Sequence, residues 1–149
     1  MLELRKATQE DIDAILHTVR QENIAELEVL GVGVDYSLVW SLENSSEACV
    51  AVIDGEVVCA FGVVPTSKKG VGVPWMMGTS TIDRHSIAFL RASKMVLTDM
   101  FKRWDLLVNY ADTRNLRGLR WLKFMGFTIH KAEPLGERQL MFHRFEKEA

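Results

Sequence analysis

The sequence predicts an α/β (α+β, mixed-sheet) fold of about seven strands with helices on both faces, spanning residues 1–149 as one domain. Three observations predict it. Asp54-Gly55 joins two apolar, Val-rich runs, 48–53 and 56–64, and Asp-Gly is a preferred type I′ hairpin turn. Residues 73–82 and 106–110 read as strands with a helical stretch, 86–104, between them, which makes a right-handed parallel crossover. The whole order is strand, two or three helical pieces, three strands, helix, strand, helix, two strands. Hairpins early and crossovers late imply a mixed sheet.

Each element has a local reason. Leu2 and Leu4 alternate with Glu3 and Arg5, a short first strand. Thr8 followed by Asp11 is a capping-box variant. Ile12, Ile15, Leu16 and Val19 then fall at helical spacing, and Ile24, Leu27 and Leu30 continue the period until Gly31-Val32-Gly33 ends it. A short apolar stretch, 36–42, reads as another helical piece that exits at Ser45-Ser46. Pro65 closes the strand after the hairpin, and 66–72 is a polar, Gly-containing loop. In 86–104, Ile87, Leu90, Leu97, Phe101 and Trp104 form a wide apolar face backed by Phe89, Val96 and Met100. Residues 113–125 are helical, and Gly126 stands where a C′ glycine ends a helix. Residues 127–130 and 139–145 are the last two strands, joined through Pro134-Leu135-Gly136.

Composition narrows the classes. The chain has 149 residues, 48% hydrophobic and 26% charged, values of a globular domain and not of a disordered one. A chain of this length buries roughly 70% of its unfolded surface, enough for a core without staples. A net charge of −2 gives no global support for nucleic-acid binding. Two cysteines, Cys49 and Cys59, make neither a metal quartet nor a disulfide framework, so no metal is expected and a reducing, cytoplasmic compartment is. No run approaches the ~20 apolar residues of a membrane helix, and the strand-like N-terminus does not read as a signal peptide.

Residues 115–127 carry a resemblance. Asn115, Gly118, Gly126 and Phe127 stand where the fourth helix of the GNAT acyl-CoA N-acyltransferase superfamily has Asn, a small residue and Gly-Phe, and Leu122 stands at its tyrosine position. A set of further words extends over nearly the whole chain: Arg20-x-x-Asn23-x-x-Glu26-Leu27, Val73-Pro74-Trp75 to Thr79, Asn109-Tyr110, Trp121-Leu122-Lys123 and Met141-Phe142-His143-Arg144-Phe145. In this order they resemble the GNAT-like proteins of tailed phages, the group that includes the internal virion protein A of short-tailed phages. The resemblance implies a GNAT-like domain over 1–149 and transfer of an acetyl or other acyl group from acetyl-CoA to the amine of a small molecule or protein. A place in the virion or the infected cell's cytoplasm follows from the same likeness.

It also implies a site. The family binds pantetheine on strand 4 and the pyrophosphate at the N-terminus of the next helix, where exposed N–H groups and the helix dipole favour phosphate. Mapped here, Met77, Gly78, Thr79, Arg84, His85 and Ser86 contact the cofactor, Asn115 lies beside pantetheine, and Glu26 is the general base. The sequence departs at the phosphate loop. Ile87 and Phe89 hold its glycine positions, and 84–90 contains no glycine. A second reading from another class follows: a non-catalytic virion or assembly protein that uses the fold as a scaffold.

Each candidate has a plainer alternative. Asn115 also suits a helix start, Ser86 an ordinary cap and His85 a surface histidine in place of a base. Glu22 and Glu26 share a helix face with Arg20 nearby, which fits either a base for the amine or a solvated surface. Tyr110 is either a proton donor to the leaving thiolate or a packed strand residue. Arg114, Arg117, Arg120 and Lys123 repeat at spacing three, a phosphate stripe or an exposed face. Trp75-Met76-Met77 fits a buried sheet centre, and Cys49 and Cys59 fit apolar packing.

Overall fold

The Asp-Gly turn organises the first half of the sheet. In the computed structural model, which describes residues 1–19, 24, 33–136 and 139–149, Asp54 and Gly55 both hold positive φ, 50° and 80°, as a type I′ turn requires. They join β2 (Glu47–Ile53) to β3 (Glu56–Pro65). β1 (Leu2–Arg5) pairs antiparallel with β2, and β4 (Val71–Gly78) antiparallel with β3. β5 (Leu106–Asp112) then runs parallel to β4, and β8 (Leu140–Glu148) antiparallel to β5. β6 (Thr128–Ile129) and β7 (Glu133–Leu135) are short and both pair with β8. The result is an eight-stranded mixed sheet in the order β1-β2-β3-β4-β5-β8-β6, with β7 beside β8.

Helices cover both faces because alternate strand residues point to opposite sides. On one face, α1 (Gln9–Thr18) and α2 (Val34–Asn44) bring Ile15 and Leu38 against Val50, Val52, Ala60 and Met77. On the other, α3 (Ser86–Met100) and α4 (Leu116–Phe124) cover two separate apolar clusters. One gathers Leu97, Met100, Leu122 and Phe145; the other gathers Ala51, Ile53, Val58 and Phe89. Phe61 and Trp121 pack against both.

Several boundaries differ from the periodicity. α1 opens with the full capping box, Thr8 accepting from Asp11 N–H and Asp11 from Thr8 N–H. It ends earlier than expected, because Val19 turns extended (ψ 142°) and bridges Thr79. The rest of that predicted helix, 20–23 and 25–32, lies outside the described residues. β4 stops at Gly78, not at residue 82: Ser80–His85 form a 3₁₀ turn that leads straight into α3. α3 in turn stops at Met100, not 104, and Ile87, expected in its apolar face, is exposed. α4 starts at Leu116 and not at residue 113, since β5 extends through Asp112 and Asn115 caps the helix. Gly126 holds φ +92° just past α4, the left-handed stop its position predicted. Cys49 and Cys59 are free thiols, and the β2–β3 register sets them opposite Phe61 and Ala51.

Candidate functional site

The central parallel pair opens, and the reason lies in one residue. β4 and β5 are in register only at Val71↔Leu106 and Gly72↔Leu107. Thr79 N–H donates to Val58 O at 3.0 Å. Backbone groups alternate sides along a strand, so Met77 and Trp75 also bond toward β3. Gly72, Pro74 and Met76 therefore turn their peptide groups toward β5. The next group due to donate across the parallel ladder is the Pro74 nitrogen, which carries no hydrogen. The ladder ends there. Asn109 on β5 fills the step, its Nδ2 donating to Pro74 O at 2.7 Å while its Oδ1 accepts Tyr110 N–H at 2.7 Å.

Beyond that step the strands bound a cleft of about 570 Å³. Met76, Met77 and Trp75 line its β4 wall, Asn109 and Tyr110 its β5 wall, and Tyr36 and Trp40 of α2 its mouth. Trp75 is held by its indole N–H, which donates to Ser45 Oγ at 2.7 Å. Among the described residues the cleft wall carries no acidic or basic side chain. Its polar groups are hydroxyls, Asn side chains and the peptide groups of β4.

A second hollow of about 180 Å³ adjoins the cleft between the starts of α3 and α4. Met76, Asn115, Gly118 and Trp121 line both spaces. Asn115 caps α4, its Oδ1 accepting Gly118 N–H at 2.9 Å. Gly118 is small for a stated reason: a Cβ there would lie 2.6 Å from Asn115 Nδ2. Asp83 and Arg117 face each other across the hollow as an ion pair. Asp112, buried beneath the α4 start, is held by Arg114. Burial pushes its carboxyl up, but the side-chain and backbone hydrogen bonds from Arg114 outweigh it and leave it below the usual range.

The residues expected to form the site divide into three groups. Ser86 lines the hollow, Asn115 the wall it shares with the cleft, and Met77 the cleft. Gly78 is buried at the end of β4 and does not line the cleft or the hollow. Thr79 is fully buried, and its hydroxyl donates to Val57 O and Val58 O. Arg84 and His85 both turn to Glu56 at the β2–β3 hairpin, His85 Nε2 lying 3.0 Å from Glu56 Oε1. Arg84 first, and then His85, hold the Glu56 carboxyl below its usual range. Glu26, with Arg20 and Glu22, lies outside the described residues. Met76, Pro74, Asn109, Asp83 and Trp121 were not singled out by chemistry. Proline inside a central strand was the one signal that could have found the opening.

No family model matches the chain, and no curated protein does. Solved structures do. An acetyltransferase of the GNAT family from Bacillus anthracis aligns with TM-score 0.74 at 11% identity, over 99% of this chain and 94% of that one. Ard1 from Thermoplasma volcanium aligns with TM-score 0.71 at 14% identity, over 99% and 97%. Ribosomal-protein-alanine N-acetyltransferase from Brucella melitensis gives 0.68 at 18% identity, over 99% of each. Identities this low speak of architecture alone. With its parallel β4–β5 pair opening at mid-sheet and helices on both faces, the chain has the fold of the GNAT acyl-CoA N-acyltransferases.

Proposed function

We propose that the protein is an N-acyltransferase that accepts an acyl-CoA, acetyl-CoA as the reference donor, in the β4–β5 opening and acylates an amine entering from the α2 side. One observation carries this reading: past Pro74, the peptide group of Met76, which lines the cleft, is not in register with β5. Bound acyl-CoA supplies a thioester whose carbonyl carbon an amine can attack. The Met76 N–H lies on the side where a carbonyl oxygen gathers negative charge, and a fixed amide there stabilises that charge without reorganisation. The C–N bond forms as C–S breaks. Glu26 takes the proton the amine loses, and the Tyr110 hydroxyl, on the β5 wall, returns one to the thiolate. The neutral, partly aromatic cleft wall favours the uncharged, nucleophilic form of the amine.

The pyrophosphate end fits less closely. The 3₁₀ turn Ser80–His85 takes the place of a glycine loop, and such a turn spends amides on its own i→i+3 bonds. Ser86 at the α3 start, with Arg84 and His85 beside it, would hold the phosphates. A helix N-terminus contributes roughly 0.3–1 kcal/mol toward an anion and a charged hydrogen bond about 1.5–3 kcal/mol. Binding is therefore weak and salt-sensitive. Calorimetry with acetyl-CoA tests it: the expected result is measurable heat that falls with salt, and Arg84→Ala weakens binding about tenfold or more. No heat at millimolar acetyl-CoA would overturn the enzyme reading.

That same turn favours the second reading, a scaffold without chemistry in a phage virion or its assembly. Arg84 and His85, which lead into α3, already answer to Glu56. Co-purification with virion or portal components supports this reading, whereas turnover on any amine that Asn115→Ala abolishes counts against it.

A further inference from the structure

The two apolar clusters beneath α3 and α4 do not merge. Between them lies a cavity of about 120 Å³. Phe61, Phe89, Ala92, Val96 and Met100 form much of its wall, and Trp121 closes the side toward α4. It is a half-open recess and not a sealed void, with Leu2 and Leu4 of β1 on its rim, and its wall is almost wholly apolar. Among the described residues its wall holds one hydroxyl, that of Ser93, and this donates to Phe89 O at 2.8 Å and lies 3.2 Å from the Trp121 indole N–H. Water against such a wall finds few polar partners, so an apolar group that displaces it gains. Cys59, on the same wall, has its thiol pushed up to about 12 by burial.

Position gives the cavity a use. Met76 lines it and also lines the cleft and the hollow at the α3 start. The Met76 peptide faces the β4–β5 opening while its side chain packs on the α3 face with Phe61 and Trp121. A carbonyl held at that peptide thus has the cavity beside it, with an unbranched, flexible thioether as the partition.

We infer that this cavity receives the alkyl chain of the acyl donor, so that the preferred donor carries a medium-length acyl group and not acetyl. This rests on the acyl-CoA reading above. Apolar cavities of ~150 Å³ take up a six-carbon ring, so a space of about 120 Å³ suits a chain of roughly four to six carbons. A branched or longer chain overfills it, and a charged one, such as succinyl, finds no partner on its wall.

The test is a chain-length series on the wild-type protein by calorimetry: acetyl-, butyryl-, hexanoyl-, decanoyl- and succinyl-CoA. Each methylene that enters an apolar site adds about three- to fourfold in affinity. Hexanoyl-CoA is expected to bind about tenfold or more tighter than acetyl-CoA, decanoyl-CoA to gain nothing further, and succinyl-CoA to gain nothing at all. Filling the space supplies the second arm. Ala92→Leu, and independently Val96→Phe, should collapse the hexanoyl-to-acetyl ratio toward one, and either variant suffices if the other fails to fold. Equal affinity for acetyl- and hexanoyl-CoA in the wild type overturns the chain pocket and leaves the acyltransferase reading standing. Binding of none of the five overturns both.

Discussion

At the scale of single residues, most of what matters is a side chain holding a backbone in place. Asp11 is buried and accepts from Thr8 N–H and from Arg5 Nη1 and Nη2, the latter at 2.9 Å. The Arg5 hydrogen bonds, opposed by burial and aided by Thr8, lower its carboxyl to about 2. A carboxyl lowered on folding stabilises the fold above its unfolded value near 3.8 and loses that contribution as pH falls through the folded value. Asp11→Asn should therefore cost on the order of 2 kcal/mol at pH 7, and urea titrations should show the gap to wild type closing between about pH 4 and pH 2. Asn115 and Gly118 make a second such unit. Because a Cβ at 118 would meet the Asn115 amide at 2.6 Å, Gly118→Ala displaces the cap. The helix-propensity gain of about 1 kcal/mol is set against a lost cap of about 1 kcal/mol, so stability barely moves. Acyl-CoA affinity should fall several-fold, because Asn115 leaves the wall shared by cleft and hollow. A fall in melting temperature with unchanged affinity would refute a binding role for Asn115.

At the scale of elements, the site is the point where β4 and β5 part. Pro74 removes one ladder donor and Asn109 caps the loose carbonyl. Pro74→Val restores an N–H on the β5 side, worth about 1 kcal/mol if it pairs. The variant also loses the rigid proline's restraint on the unfolded chain, about 0.4–1 kcal/mol. The two nearly cancel, so hydrogen exchange is the better readout than melting. The amides of β5 after Leu107 should become more protected, and acetyl-CoA affinity should fall about tenfold as the opening narrows. If exchange and affinity are both unchanged, Pro74 does not set the gap. The same elements show what the sequence makes legible. The Asp54-Gly55 turn, the Thr8 box and the Gly126 stop are local chemistry and read directly. The strand expected over 73–82 ended at Gly78 because its continuation is captured by side chains: Thr79 and Thr81 hydroxyls donate to Val57 O, Thr81 at 2.8 Å. β-branched composition reads as strand. Only tertiary contact turns it into a 3₁₀ entry to α3.

At the scale of the molecule, charge decides how an anion is received. The chain's net charge is −2, and the cations around the two helix starts each face a carboxylate: Arg84 with Glu56, Arg117 with Asp83, Arg114 with Asp112. The stripe Arg114, Arg117, Arg120 and Lys123 is visible in the sequence, but the partner of Arg117 lies 34 residues away along the chain, so spacing alone does not show that Arg114 and Arg117 are paired. A phosphate entering the hollow meets the Arg117–Asp83 pair, in which attraction to one member is opposed by repulsion from the other. Asp83→Asn keeps the shape and removes the repulsion. Since both side chains are about half exposed, the pair itself adds little to stability, and the variant should melt within a few degrees of wild type. Its affinity for acetyl-CoA should rise about tenfold at low salt. That gain should shrink in 1 M salt, where screening acts over ~3 Å against ~10 Å at 0.1 M. Pantetheine, which has no phosphates, should bind both proteins alike. An affinity for acetyl-CoA that does not change in Asp83→Asn at any salt would place the phosphates away from the hollow between α3 and α4.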